Sequence, residues 1–168
     1  MAISRRLPQL RENAFPDLYR TGYEVTSQED DYQNCIAFAA GRPNGVWTPY
    51  AGNGYYWPRG LPRKTDVETF VKLYKLEAGY DPCDPSDEGE YEEGVEKVAL
   101  YVDANNEVTH AAKQNKDGTW TSKLGDWEDV RHNSLEGVGG DAPAYGKVAK
   151  FLRRDQQRVR IEEPMKLP

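Results

Sequence analysis

The sequence predicts an α+β fold in which two helices pack on a small antiparallel sheet. Three observations lead to this expectation. A short apolar run begins at Cys35, a second apolar stripe with helical spacing covers residues 67–78, and alternating segments follow in close succession over residues 95–124. Helices followed by a run of short strands are typical of an α+β domain.

Both helices have recognisable ends. The first is expected to begin at Cys35, which acidic and amide residues precede, and to end at Gly41, with Pro43 beyond it. The second should begin with a capping box at residues 65–68 and end at Gly79. Its apolar face would consist of Val67, Phe70, Val71, Tyr74 and Ala78.

The predicted strands are short and separated by turns. They cover residues 23–26, 95–102, 107–114, 119–124 and 147–152. Residues 126–138 are expected to hold a short helix that begins near His132 or Asn133. The aromatic and Gly/Pro-rich stretch 47–62 and the acidic stretch 84–93 are predicted to have no regular structure.

Length and composition indicate one folded unit, residues 1–168, with its core at about 23–152, a polar N-terminal segment and a charged C-terminal tail. A net charge of −6 argues against a nucleic-acid partner. Two cysteines in unrelated contexts are typical of reduced thiols, which favours a cytoplasmic protein. No apolar run approaches the roughly 18 residues of a membrane span, so no membrane association is expected.

Cys35 and His110 are the candidate reactive groups. A cysteine in the first turn of a helix lies near unpaired backbone N–H groups, which favour the thiolate, the nucleophilic form. Imidazole is the side chain that accepts a proton near neutral pH. His110 would share a strand face with Val108 and Ala112, whose small size leaves room for a facing helix.

Two motifs resemble known families. The element order and the segments 110–112 and 120–127 resemble papain-like cysteine peptidases and amidases. The motifs Asn-Cys-Ile-Ala-x-Ala-x-Gly and His-Ala-Ala-x-Gln…Gly-x-Trp-Thr-Ser-Lys-Leu-Gly are also similar to a family of uncharacterised bacterial proteins, over most of residues 30–152. The first resemblance implies a papain-like fold with Cys35 as nucleophile and His110 as base. Papain-like enzymes have an Asn, Asp or similar group at the orienting position. This sequence departs from that pattern and has Ser122 there, with a main-chain carbonyl as the alternative.

Substrate contacts are expected beside these motifs. The candidates are Gln33, Asn34, Trp57, Trp120 and Lys123. The two amides precede the cysteine, where the resemblance implies a donor to an oxyanion, and the backbone N–H of Cys35 would be another donor. Trp57 belongs to the aromatic stretch, which would either line a substrate groove or cover the core.

These residues predict a thiol hydrolase or acyltransferase that acts on an amide, isopeptide or ester bond of a peptide or protein, without a cofactor. The alternative is an inactive papain-like domain that binds a protein partner through its aromatic and acidic stretches. Cys35 could also be a core cysteine, since cysteine is often buried. A zinc site formed by Cys35, His110 and His132 is disfavoured because the short paired spacing of metal ligands is missing.

Overall fold

The computed structural model describes residues 6–28, 32–42 and 45–156. In these ranges the chain forms four α-helices, one 3₁₀ helix and nine strands. The α-helices are α1 (Gln9–Asn13), α2 (Pro16–Thr21), α3 (Cys35–Ala39) and α4 (Val67–Ala78), and the 3₁₀ helix is Leu135–Val138. The strands are β1 (Tyr23–Ser27), β2 (Val46–Trp47), β3 (Tyr55–Tyr56), β4 (Asp81–Pro82), β5 (Val95–Val102), β6 (Val108–Gln114), β7 (Trp120–Lys123), β8 (Asp129–His132) and β9 (Lys147–Asp155).

The α+β class is confirmed, and the main sheet is larger than predicted. Seven strands form it in the order β1-β8-β7-β6-β5-β9-β4, and every neighbouring pair is antiparallel. The two remaining strands, β2 and β3, form a separate parallel pair. Trp47 of β2 and both residues of β3 belong to the aromatic stretch, which therefore contains regular structure where none was predicted.

Both predicted helices are present. Helix α3 begins at Cys35, as expected, and is five residues long. Helix α4 is capped by Asp66, whose carboxylate accepts the Thr69 N–H, so the cap lies one residue after the predicted position. Gly79 ends α4 in the left-handed conformation at φ 75°, which glycine adopts without strain.

Two segments differ from the prediction. A short helix lies within residues 126–138, as predicted, but it is the 3₁₀ helix Leu135–Val138, and it begins later than expected because His132 is still the last residue of β8. The N-terminal residues are not simply a polar segment, because α1 and α2 form there and Leu7, Phe15 and Leu18 are buried. The core therefore begins before residue 23. The predictions for Pro43 and for the tail after residue 156 lie outside the described residues.

The main sheet is buried on both faces. One face carries a cluster that we name the α3/α4 core, and the other carries a cluster that we name the N-terminal core. The α3/α4 core includes Ile36, Ala37, Ala39, Phe70, Leu73, Tyr74, Val98, Leu100, Ala111 and Leu152. The N-terminal core includes Leu7, Phe15, Leu18, Ala99, Tyr101, Ala112, Trp120, Leu124, Val130 and Val138.

Strands β6 and β7 pair over a short distance. Their register consists of Lys113 with Thr121 and Gln114 with Trp120. Helix α3 packs against both strands. This arrangement brings the start of α3 close to the part of β6 that contains His110.

No helix within the described ranges combines the length and the apolar character needed to cross a membrane.

Candidate functional site

Cys35 is the first residue of α3, and Asn34 fixes its position. The Asn34 side-chain oxygen accepts the N–H of Ala37 and the N–H of Trp47, both at 3.1 Å. Its amide nitrogen donates to the Trp47 carbonyl at 2.8 Å. A single N-cap residue thus ties the helix start to the aromatic stretch, and Cys35 is held between them.

The Cys35 thiol is protonated at neutral pH in this structure. Burial raises its pKa to about 11, although the backbone N–H groups of Ala111, Cys35 and Ile36 and the ammonium of Lys123 act in the opposite direction. Cys35 is nevertheless partly exposed as a residue. The site therefore contains groups that would stabilise a negative sulfur, but desolvation of the sulfur outweighs them.

His110 is fully buried on β6 and is held by three side chains. Its Nε2 is 2.8 Å from the Ser122 Oγ. The Tyr145 ring stacks on the imidazole with the centroids 4.0 Å apart and the planes 4° from parallel, and Tyr101 packs edge-on at 5.4 Å. The other ring nitrogen, Nδ1, is buried and has no hydrogen-bond partner among the described residues.

Ser122 joins His110 to a second buried histidine. The Ser122 Oγ is also 2.8 Å from the His132 Nε2, and the His132 Nδ1 is 2.9 Å from the Ser134 carbonyl oxygen. These contacts form one continuous line across β6, β7 and the end of β8. We name it the His–Ser–His line.

Both imidazoles are neutral at physiological pH. Burial, reinforced by the nearby His132, holds the pKa of His110 well below its usual value. Burial lowers the pKa of His132 to about 4, although its hydrogen bond to the Ser134 carbonyl acts in the opposite direction.

The structure brings Ser122 to His110 but does not bond Cys35 to His110. Successive residues of a strand point to opposite faces, so Ala111 faces the α3/α4 core while His110 packs on Tyr101 of the N-terminal core. The thiol approaches β6 at the N–H of Ala111, the residue after His110. A shared neighbour links the two groups, because Tyr145 stacks on His110 and its pKa is raised first by burial and then by Cys35.

The residues expected to contact substrate each have structural partners in the fold, and their contact with substrate stays a prediction. Gln33 donates to the Arg42 carbonyl, and the Asn34 amide caps α3. The Trp57 N–H donates to the carbonyls of residues 61 and 62, and its ring packs against Phe70.

The two candidates on β7 are both buried. Trp120 lies in the N-terminal core, beside Phe151. The Lys123 side chain is 0% exposed, with its ammonium 3.8 Å from the Asp129 carboxylate. The positive charge of Lys123 lowers the pKa of Cys35, so Lys123 acts on the site electrostatically.

Two residues of the site were not predicted as such. His132 was expected at a helix start, because the segment Asp-Val-Arg-His of β8 is short and highly charged. Its alternation, with Val130 and His132 buried on one face, is the signal that could have revealed a strand. Tyr145 lies in a Gly/Pro-rich loop that has no periodic pattern, so no sequence signal marked it.

Among the residues that the structure describes, no group of three or more His, Cys, Asp or Glu side chains is arranged to hold a metal ion. Cys83 is a free, buried thiol that is distant in sequence from the site.

The comparisons with known proteins identify a family but not an activity. No curated protein and no solved structure matches the chain. One family model matches residues 24–153, which contain every residue of the His–Ser–His line as well as Cys35. Because the match covers most of the chain, the protein belongs to the family described as Domain of unknown function (DUF7689).

Proposed function

We propose that this protein is a papain-like thiol hydrolase or acyltransferase in which Cys35 is the nucleophile and His110 the base. One observation supports the proposal above the others: the buried Nδ1 of His110 has no hydrogen-bond partner within the part of the chain that the structure describes, while Nε2 is held by Ser122. Leaving a buried polar atom unpaired costs about 1–3 kcal/mol, so such an atom calls for an explanation. We infer that Nδ1 is an acceptor for the thiol proton. In the resting structure the sulfur lies at the Ala111 N–H, one residue further along β6, so the proposal requires substrate binding to bring the sulfur from there to the imidazole.

The chemistry starts from a neutral pair. As the Cys35 Sγ bonds to the carbonyl carbon of the substrate, its proton passes to the His110 Nδ1 and the carbonyl electron pair moves to oxygen. The backbone N–H of Cys35 would donate to that oxygen. Collapse of the intermediate expels the leaving group, which takes the proton from His110. Water, or an amine in a transfer reaction, then repeats the steps and releases Cys35.

This mechanism assigns a role to each element of the site. Ser122 orients the imidazole, and Lys123 stabilises negative charge on sulfur. Tyr145 covers one face of the ring and excludes water from it. Proton transfer from Cys35 to His110 during attack on the carbonyl is consistent with the raised pKa of Cys35 and the lowered pKa of His110. Both groups are uncharged before the reaction begins. The proposal includes a cytoplasmic setting, since Cys35 and Cys83 are both free thiols.

Alkylation of a single thiol tests the dyad. In a Cys83→Ser background, the rate of reaction of Cys35 with iodoacetamide would be measured from pH 5 to 10. His110→Gln keeps an amide that can bond Ser122 but removes the base. General-base assistance contributes about 100-fold or more, so this variant should alkylate at least about tenfold more slowly at pH 7. A rate unchanged by His110→Gln would end the dyad hypothesis.

Turnover is tested separately with an activated ester. p-Nitrophenyl acetate should release one equivalent of nitrophenolate in a burst and leave one acetyl group on Cys35, which mass spectrometry detects. Cys35→Ser should abolish both signals, whereas Cys83→Ser should retain them. Acetylation spread over lysines with no burst would contradict acyl transfer at Cys35.

A second function, a binding module for a protein partner, is favoured by one groove. The groove has a volume of about 470 Å³ and lies between α4, β4 and the end of the aromatic stretch. Apolar side chains line it, among them Leu61, Val71 and Leu76, and Leu76 is 63% exposed. Arg59 and Lys72 supply positive charge at its edge in a chain of net charge −6.

This groove suits a peptide in which an apolar side chain is flanked by carboxylates. Binding of fluorescent acidic-apolar peptides would be measured by anisotropy. Leu76→Asp should weaken binding at least tenfold, while Leu10→Asp, which changes a leucine that is 84% exposed elsewhere, should not. Equal binding by both variants would exclude the groove as the site.

A further inference from the structure

The Ser134 carbonyl determines where the protons lie in the His–Ser–His line. A carbonyl oxygen can only accept, so the His132 Nδ1, at 2.9 Å from it, must carry a hydrogen. A neutral imidazole has one N–H, and burial keeps His132 neutral by lowering its pKa to about 4. The His132 Nε2 is therefore an acceptor.

The proton positions of Ser122 and His110 follow from that of His132. An accepting His132 Nε2 takes the Ser122 hydroxyl hydrogen across 2.8 Å. The Ser122 oxygen has then used its only hydrogen, so toward His110 it must accept, and the His110 Nε2 must donate across 2.8 Å. The neutral His110 ring consequently has its hydrogen on Nε2 and a bare lone pair on Nδ1.

Reversing donor and acceptor in both hydrogen bonds of Ser122 is unfavourable at two places. It would place the hydrogen of His110 on Nδ1, which is buried and has no acceptor among the described residues. It would also require both nitrogens of His132 to donate, and so a positive charge inside the protein. Burial without compensation disfavours both the unpaired donor and the charge.

We propose that His132 is a positioning residue that, through Ser122, holds His110 in the Nε2–H tautomer and leaves Nδ1 free as a base. The assignment of protons stands on the hydrogen-bond geometry and on the burial that keeps both rings neutral. Its consequence for reactivity rests on the function proposed above for Cys35 and His110. Neither Ser122 nor His132 touches the substrate in this scheme. Ser122 donates its hydrogen to one histidine and accepts a hydrogen from the other, so the proton position of His132 determines that of His110.

Nitrogen NMR of the intact protein tests the tautomers without any substitution. The chain contains only two histidines, so long-range ¹H–¹⁵N spectra should show only two imidazoles. At pH 7 one ring should have its hydrogen on Nδ1 (His132) and the other on Nε2 (His110). Two rings of the same tautomer, or a protonated ring, would overturn the proposal.

Two amide variants separate positioning from simple structural support. His132→Gln places its amide near the former Nε2 position and can still accept from Ser122. His132→Asn reaches only the former Nδ1 position and leaves the Ser122 hydroxyl free to turn. His110, then the sole histidine, should remain Nε2–H in His132→Gln and shift at least tenfold toward Nδ1–H in His132→Asn. An unchanged His110 tautomer in His132→Asn would contradict the proposal.

Alkylation of Cys35 distinguishes failure of this inference from failure of the proposed function. In the Cys83→Ser background, His132→Asn should slow alkylation at pH 7 at least about fivefold, and His132→Gln less than twofold. The NMR signature does not depend on the thiol and should persist in Cys35→Ser. If NMR shows the expected tautomers but His110→Gln does not slow alkylation, the His–Ser–His line is correct and the proposed hydrolase function is wrong. A wrong tautomer would reject the line itself.

Discussion

The chain buries a thiol in each of two regions, and the two regions treat their polar neighbours differently. Around Cys83, Lys97 lies 2.8 Å from both the Asp87 and the Glu92 carboxylates and donates to the Glu90 carbonyl at 2.7 Å. Near Cys35, the line of neutral groups from Ser134 to His110 ends on a nitrogen that has no partner in residues 6–28, 32–42 and 45–156.

Both thiols reach a pKa of about 11, for partly different reasons. Burial is the main cause in each region. Near Cys83 the carboxylate of Asp87 raises the pKa further, whereas near Cys35 the other contributions, from backbone N–H groups and Lys123, lower it. Lys97 and Arg153 lower the pKa of Cys83, but Asp87 and Glu92 oppose them, whereas every contribution other than burial lowers the pKa of Cys35. The same pKa therefore arises from different surroundings.

The largest expected effect is a loss of stability when the ion pairs of Lys97 near Cys83 are removed. Lys97→Met should lower the free energy of unfolding by about 3–5 kcal/mol, because it leaves partly buried carboxylates without their cation. Urea denaturation at pH 7 measures this. Lys75→Met breaks an exposed pair with Asp81 and should cost less than about 1 kcal/mol. Equal effects of the two variants would show that burial does not distinguish the pairs.

The next prediction is that the two regions lose their contributions to folding stability at different pH values. The pKa of His132 falls from 6.5 in the unfolded chain to about 4 in the folded protein. Between these values only the unfolded chain binds the proton, so stability present above pH 6.5 is lost as the pH falls toward 4. The loss should be about 3 kcal/mol from His132, with a further loss from His110 in the same direction.

The carboxylates around Cys83 lose their contribution at lower pH. Burial raises the pKa of Asp87, but the bonds to Lys97 and the Gly89 N–H and the nearby positive charges together outweigh it and leave the pKa lowered. The contribution of Asp87 to stability is therefore lost only below the usual Asp range. Urea titrations at pH 7, 5.5 and 4.5 would distinguish the contribution of His132 to stability from that of the carboxylates. His132→Gln should remove a large part of the loss above pH 4.5, and a stability independent of pH in that window would contradict a neutral, buried His132.

The smallest effect compares two serines. Ser122→Ala removes the central member of the His–Ser–His line and leaves two imidazole nitrogens without partners, which should cost about 2 kcal/mol. Ser86→Ala, in the loop after Cys83, removes an exposed bond to Asp84 and should change stability by less than about 0.5 kcal/mol. Thermal unfolding of both variants checks this, and a neutral Ser122→Ala would mean that the line carries no stability.

The site was predictable only in part. The contact between His110 and Ser122 joins two residues of neighbouring strands that the sequence motifs had already singled out. His132 was misassigned, because a four-residue strand with two charged side chains has too little alternation to be distinguished from a turn or a helix start. Tyr145 was not singled out, because loop residues are placed by contacts that have no sequence period.

The fold shows the same division. The two main helices and most of the long strands were predictable, since each has its own caps, turns or alternation. The N-terminal helices α1 and α2 were not predicted, because each is only five or six residues long and gains stability from burying Phe15 and Leu18 rather than from its own pattern.

The sequence by itself determined that Cys35 begins a helix and that His110 and Ser122 lie on neighbouring strands, because local patterns and turn spacing decide such features. Only the tertiary structure decided how the residues meet. It placed His110 and α3 against different faces of the sheet and brought His132, itself bonded to the Ser134 carbonyl, to Ser122. It also left the His110 Nδ1 with no partner among the residues that the structure describes. The physical reason is that hydrogen-bond partners and burial depend on strand register and on packing between distant segments, which no local pattern records.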